Sequence, residues 1–253
     1  MKDILVLFAS KSDEDSYKQV LNVLDKEKAS YDFRIASAHK TPDDVDAILK
    51  NDYKVVIAGA GLSAALPGFI ASKTIRAVIG VPCKGNYEGL DALLSIVQMP
   101  PGIPVLATGV NNAAGAAYAA VQMLKKNEKV VLIGDNNTKA FRNAEQILKQ
   151  FEINHVHSNQ LSENAINIAF VYFDEPIEKK KELAIYCPLL LEEDDKAESS
   201  LNLLKHSNHG LWVGLNNGTN AALAAIEILN IDNRYEEKLI RYRKDIAKKV
   251  KSQ

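Results

Sequence analysis

Apolar positions in this chain fall in short unbroken runs, separated by stretches with helical spacing. Residues 4–8 (ILVLF) show no polar alternation, the pattern of a strand covered on both faces. In 14–27, Tyr17, Val20, Leu21 and Leu24 recur at the spacing of one helix face. A second strand is predicted over 33–37. A helix should follow, with Thr41 as N-cap, Pro42 at the first position, and Asp43 and Asp44 in the first turn. The alternation continues through strand 54–61, helix 64–74, strand 77–82, helix 89–98, strand 104–109 and helix 113–124. Repeated strand–helix units with continuous apolar strands predict an α/β fold, a parallel sheet with helices on both faces. Such a fold carries its chemistry on loops at the carboxyl ends of the strands.

The pattern occurs twice. Residues 109–124 (GVNNAAGAAYAAVQML) align without gaps to 214–229 (GLNNGTNAALAAIEIL), with eight of the sixteen positions identical. Upstream, 77–82 (AVIGVP) matches 183–188 (LAIYCP), and 4–13 corresponds to 130–138. Residues 1–126 and 127–253 are therefore expected to be two copies of one α/β unit. Each should be a three-layer parallel sheet, the second a degenerate structural copy.

Three loops of the first half could carry chemistry. Ala9-Ser10-Lys11-Ser12-Asp13 sits between strand and helix, where hydroxyls and free backbone N–H groups suit a phosphate; ordinary capping by Ser12 or Asp13 is the alternative. Ser37-Ala38-His39-Lys40-Thr41-Pro42 places a histidine, able to exchange protons near neutral pH, beside a cation; a plain surface histidine is the alternative. The stretch 58–68 (AGAGLSAALPG) has glycines that let backbone approach a ligand, or that merely make a tight connection. It lacks the GxGxxG dinucleotide fingerprint. The fold would bring all three loops to one edge of the sheet.

At these loops the sequence resembles the N5-carboxyaminoimidazole ribonucleotide mutase / aminoimidazole ribonucleotide carboxylase family. ASKSD resembles its GSxSD loop, SAHKTP its SAHRTP loop, and AGAGLSAALPG its AGxGGAAHLPG loop; VIGVP and SIVQMPPGIPV (95–105) fit the bacterial mutase pattern. The resemblance covers roughly residues 3–126, and 233–250 resembles the family's C-terminal helix. It implies a flavodoxin-like fold and a step of purine biosynthesis, conversion of N5-carboxyaminoimidazole ribonucleotide to 4-carboxy-5-aminoimidazole ribonucleotide. It implies His39 as catalytic acid/base. It implies that Ser10, Asp13, Ser37, Lys40, Gly61, Ser63 and Leu66 bind a ribonucleotide, with carbon dioxide held beside it and with no metal or organic cofactor. The family's octamer of single units implies four tandem chains here, a homotetramer and pseudo-octamer.

This chain departs from the family at Ala9, which replaces a glycine, and at Lys40, which replaces the mutase arginine and matches the animal-type carboxylase. Ala65 stands where the bacterial loop has histidine, and Leu62-Ser63-Ala64 where the carboxylase branch has Arg-Ser-Asn. Direct carboxylation of the aminoimidazole ribonucleotide therefore stays open. So do a nicotinate-nucleotide-type carboxylase and a non-enzymatic nucleotide-binding subunit.

The second half lacks the loops. GDNNT stands for ASKSD, VHSNQLS for SAHKTP, and FVYFDEPIEKKKE for the glycine-rich loop. Four of the five histidines lie there. His155 and His157 alternate on a predicted strand, and His206 and His209 sit three apart. With no accompanying carboxylate or Cys pattern, these read as surface or packing residues.

Composition changes the picture little. Over 253 residues, 47% hydrophobic and 25% charged side chains suit a packed core, and 31 basic against 32 acidic residues leave no general pull toward nucleic acid or anionic membrane. The start, MKDILVLFAS, is a poor signal peptide, and no stretch approaches the roughly 20 apolar residues of a membrane span. Cys83 and Cys187 lack CxxC spacing, which suits a reduced, cytoplasmic protein. The basic tail has helical apolar spacing at Tyr235, Leu239, Tyr242, Ile246 and Val250, so it should pack on a neighbouring unit.

Overall fold

A computed structural model of the protein describes residues 2–174, 177 and 181–252. In the first half, strand β1 (Ile4–Phe8) leads to helix α1 (Glu14–Lys26), β2 (Tyr31–Ile35) to α2 (Pro42–Ile48), and β3 (Val55–Ala60) to α3 (Ala65–Lys73). Strand β4 (Ala77–Pro82) leads to α4 (Leu90–Val97), and β5 (Leu106–Ala107) to α5 (Ala113–Met123). The second half comprises β6 (Val130–Ile133), α6 (Lys139–Gln150), β7 (His155–Ser158), β8 (Ile166–Val171) and β9 (Ala184–Pro188). It continues through α7 (Lys196–His206), β10 (Leu211–Trp212), α8 (Gly218–Leu229) and α9 (Glu236–Lys251). Of the segment 170–182, Glu175, Pro176 and residues 178–180 lie outside the described residues.

Every residue of β1 is fully buried, which explains its unbroken apolar run. Ile4, Val6 and Phe8 pack on one side of the sheet with α1 and α5; Leu5 and Leu7 pack on the other with α3 and α4. The second half repeats the first arrangement, with α6 and α8 continuing the layer of α1 and α5. Alternate strand residues thus feed two cores, giving three layers.

The strands form one ten-stranded sheet in the order β2-β1-β3-β4-β5-β10-β9-β8-β6-β7. Read inward from each edge, the two halves share one order: β2-β1-β3-β4-β5 and β7-β6-β8-β9-β10. That is the flavodoxin-like order, parallel throughout each half. The duplicated parallel sheet is as expected, and the structure adds how the two copies meet. They merge where β5 and β10 pair antiparallel, Ala107 opposite Trp212. The join removes two exposed sheet edges, and Trp212 is fully buried there, stacked on Tyr186 at 4.9 Å.

The repeated Gly-x-Asn-Asn motif builds the same turn twice. Asn111 and Asn216 adopt left-handed φ of 57° and 55°. Their side chains accept from Lys84 N and Leu190 N, at 3.0 and 3.1 Å. The next asparagines cap helices: Asn112 accepts from Gly115 N and Asn217 from Asn220 N. Each also donates across to the other half, Asn112 to the Asn208 carbonyl and Asn217 to the Met99 carbonyl, both at 3.1 Å. The motif therefore fastens the halves together as well as starting the helices. Asn220, 1% exposed, extends the fastening by accepting from Gly102 N at 2.7 Å.

The tail helix α9 packs across the seam. Lys238 donates to the Phe151 carbonyl of the second half, and Arg243 to the Ala71 carbonyl of the first. It lies beside Asp52, Tyr53 and residues 74–76, which enter β3 and β4. That is the amino end of the strands, so α9 does not close over the loops of its own first half. Two smaller expectations also shift. The second strand runs 31–35 rather than 33–37. Thr41 sits at the α2 N-cap position but caps nothing; its hydroxyl turns back to accept from Ser37 N at 3.0 Å.

Candidate active site

The helix after β1 lies on one face of the sheet and the helix after β3 on the other. Between these diverging connections a flavodoxin-like sheet opens a crevice at its carboxyl edge. A cavity of about 630 Å³ occupies that place. Its wall includes the sequence-predicted Ser10, Asp13, Ser37, His39, Lys40, Gly61, Ser63 and Leu66, all eight brought together from three loops.

Each loop has a local reason for its shape. Ser10 caps the short 3-10 turn 11–13, its Oγ accepting from Ser12 N at 3.1 Å and from Ser12 Oγ at 2.7 Å. The turn leads directly into α1, and within it Ser12 N and Asp13 N both donate back to Ser10. Asp13 does not cap α1. Its Oδ2 is buried without a hydrogen-bond partner among the described residues, and burial raises its carboxyl above the usual carboxylate range. Gly61 lies against it: a Cβ there would stand 3.9 Å from Asp13 Oδ1.

In the second loop, Ser37 and Thr41 brace the turn. Ser37 Oγ accepts from Lys40 N at 3.3 Å, and Thr41 N donates to the Ser37 carbonyl at 2.9 Å. The bracing consumes backbone groups and leaves the side chains of His39 and Lys40 exposed at the cavity, engaged by no described residue. In the third loop, Ser63 takes a left-handed φ of 49° and is exposed. Leu66 is different from the others. At 1% exposure its side chain belongs to the core under α3, so it contributes floor rather than a reaching contact.

A fourth loop was missed by sequence reasoning. Lys84, Gly85 and Asn86, after β4, complete the wall. Their signal was available, a Lys-Gly-Asn turn at a strand end, but no motif marked it. Lys84 pairs with Glu88 and is positioned through its backbone by Asn111. Cys83 beside it is no nucleophile: burial, then the neighbouring Asp13 charge, push its thiol up to about 12.

The matching edge of the second half is lined differently among the described residues. There Thr138 caps α6 by accepting from Phe141 N at 3.3 Å. The remaining cavity of about 240 Å³ is walled by Gly134, Asn136, Phe141 and His157 among others. His206 and His209 are packing residues as expected, on Phe173 and Tyr186 respectively. The other histidine pair departs from expectation: α6 supplies the carboxylate the sequence pattern lacked, placing Glu145 Oε1 3.1 Å from His157 Nε2.

No helix among the described residues is long and apolar enough to cross a membrane. The N5-carboxyaminoimidazole ribonucleotide mutase of Methanocaldococcus jannaschii is 44% identical over 129 residues, which span 50% of this chain and 82% of that enzyme. The mutase of Haemophilus influenzae is 47% identical over 128 residues, 48% of this chain and 78% of its own length. The phosphoribosylaminoimidazole carboxylase of Schizosaccharomyces pombe is 41% identical over 124 residues, 47% of this chain and 22% of that protein. The family described as AIR carboxylase matches residues 3–145, which include all four cavity loops; this chain is a member of the AIR carboxylase family.

Proposed function

We propose that the chain converts N5-carboxyaminoimidazole ribonucleotide to 4-carboxy-5-aminoimidazole ribonucleotide in the cavity of the first half. The observation that carries this reading is the convergence of the three family-like loops on one cavity, with His39 free at its edge. The phosphate is held by the turn that Ser10 caps, by Lys40 and by the hydroxyls of Ser37 and Ser63. Asp13, with its unpartnered buried oxygen, accepts from ribose hydroxyls. Gly61 admits the ligand close to backbone.

In the reaction, the N–CO2 bond of the carbamate breaks and its nitrogen takes up a proton from the His39 imidazolium. The carbon dioxide stays in the cavity, and ring carbon 4 attacks it. The proton on that carbon then passes to the His39 imidazole, so substrate and product are isomers. Confinement beside the ring replaces a bimolecular encounter with carbon dioxide. Product formation from the carbamate substrate, compared with formation from aminoimidazole ribonucleotide plus bicarbonate, tests the assignment. Faster turnover on the second pair would make the chain a direct carboxylase instead.

Lys40 provides a sharper test of the binding role. It is exposed and unpaired, so Lys40→Ala should leave the melting temperature nearly unchanged while raising KM. Unchanged kinetics with lost stability would make the loop merely structural.

The division of labour follows: residues 1–126 form the catalytic unit, and 127–253 a degenerate repeat that serves as scaffold. We further propose a cytoplasmic homotetramer of about 111 kDa, four chains of 27.8 kDa, arranged as a pseudo-octamer with one active cavity per chain. Light scattering with calorimetry on a substrate analogue checks it. A monomer, or two analogues bound per chain, would be incompatible with the scheme.

A further inference from the structure

We propose that Glu145, His155 and His157 form a zinc-class divalent metal site in the second half, between the edge strand β7 and helix α6. His155 and His157 are two apart on β7, so both side chains leave the same face. Helix α6 crosses that face and brings Glu145 to them. One ligand atom from each residue lies within 4.8 Å of the others.

The hydrogen bonds define which atoms are available. His155 Nδ1 lies 2.9 Å from the Ile153 carbonyl oxygen, which can only accept; Nδ1 therefore carries the proton. In the neutral ring, Nε2 then presents a lone pair, 3.9 Å from Glu145 Oε1. Two acceptors facing one another are satisfied by a proton or by a metal cation between them, and the cation is the reading proposed. His157 Nε2 is 3.1 Å from the same oxygen. A tetrahedral ion with bonds of 2.0–2.1 Å holds its ligand atoms about 3.3 Å apart. The observed 3.1 and 3.9 Å bracket that value, and the two imidazole nitrogens lie within 4.8 Å of each other, so the side chains must draw together to close on an ion.

The supporting groups are also those of a metal site. The Ile153 carbonyl orients His155, as outer partners of metal-bound imidazoles do. Lys149 holds the other oxygen of Glu145 at 2.9 Å, leaving Oε1 for the ion. Phe141 stands edge-on to the His157 ring at 4.9 Å. Two imidazoles and one carboxylate suit zinc and its borderline neighbours cobalt, nickel and copper rather than magnesium or calcium. A fourth position faces solvent, since His157 is exposed. The ion would clasp the last strand of the sheet to the helix that covers it.

Titration of the purified full chain with zinc against a chromophoric chelator, and with cobalt followed by its visible absorption, tests the site. One ion per chain is expected, with a rise in thermal midpoint under zinc and none under magnesium. Glu145→Gln, His155→Ala and His157→Ala should each weaken binding at least tenfold, with circular dichroism confirming that each variant is folded. Glu145→Gln preserves size and keeps the test open if a histidine variant unfolds. Two results would overturn the proposal. One is no saturable uptake by the parent chain, as for a protonated imidazolium–carboxylate pair. The other is unchanged affinity in folded variants, which would place the ion elsewhere.

Discussion

Asn in place of His39 is expected to lower turnover by at least about a hundredfold while leaving the fold intact. The two halves of that expectation rest on different observations. The imidazole is exposed and meets no described side chain, so its removal deletes no packing and no hydrogen bond. Exposed substitutions of that kind usually change stability by less than about 0.5 kcal/mol. The kinetic loss follows from chemistry. Asn matches the ring in size and polarity but cannot take a proton from ring carbon 4. General acid/base groups typically contribute 10²–10⁴-fold, so even the low end is measurable. Steady-state product formation, read beside a thermal melt, separates the two. Activity near that of the parent enzyme would remove His39 from the mechanism, and a collapsed melting curve would make the loss uninformative about catalysis but contrary to the expected surface role.

The largest stability effect is expected at Arg243. Glu227, on α8, is 2% exposed, and its carboxylate meets the Arg243 guanidinium at 2.7 Å. The same guanidinium donates to the Ala71 carbonyl at 3.0 Å, so one side chain of α9 ties α8 of the second half to α3 of the first. Arg243→Ala would leave a buried carboxylate without its partner, a change that costs about 3–5 kcal/mol. Urea unfolding measures it. A loss below about 1 kcal/mol, the size of an exposed pair, would show that the contact is not a buried one. The pair also carries a pH dependence. Burial pushes the Glu227 carboxyl up from its ordinary 4.5 to about 7, with Arg243 pulling the other way. The folded state therefore holds this proton more tightly than the unfolded chain. Its contribution to stability is full below 4.5 and is lost as pH rises through about 7. Glu227→Gln should flatten that part of the stability–pH curve; an unchanged slope in the variant would assign the dependence to other groups.

Much of this architecture was legible in the amino-acid order. Fully buried parallel strands need apolar residues at every position, because alternate side chains feed opposite cores; hence the unbroken runs at 4–8 and 77–82. The duplication was legible because the Gly-x-Asn-Asn turn uses each of its residues: left-handed backbone at Asn111 and Asn216, helix caps at Asn112 and Asn217. The three site loops were legible because strand-end loops of such a sheet must meet at one edge, and the cavity gathers them.

The tertiary structure alone decided the rest. The strand at 31–35 is only half-buried, so its pattern is weak and its bounds slid by two residues. Pairing of β5 with β10 joins residues about a hundred positions apart through strands of two residues each, too short for any periodic signal. The third member of the histidine cluster comes from a helix ten residues upstream, and its side chain meets the strand only when α6 lies across β7. Helix α9 showed an apolar stripe in sequence, and Leu239 and Tyr242 do pack on the core, yet the contacts that fix it across the seam include backbone carbonyls in both halves, and carbonyls carry no residue signature. Local order along the chain is written in residue types; the joins between distant segments depend on backbone groups that every residue shares.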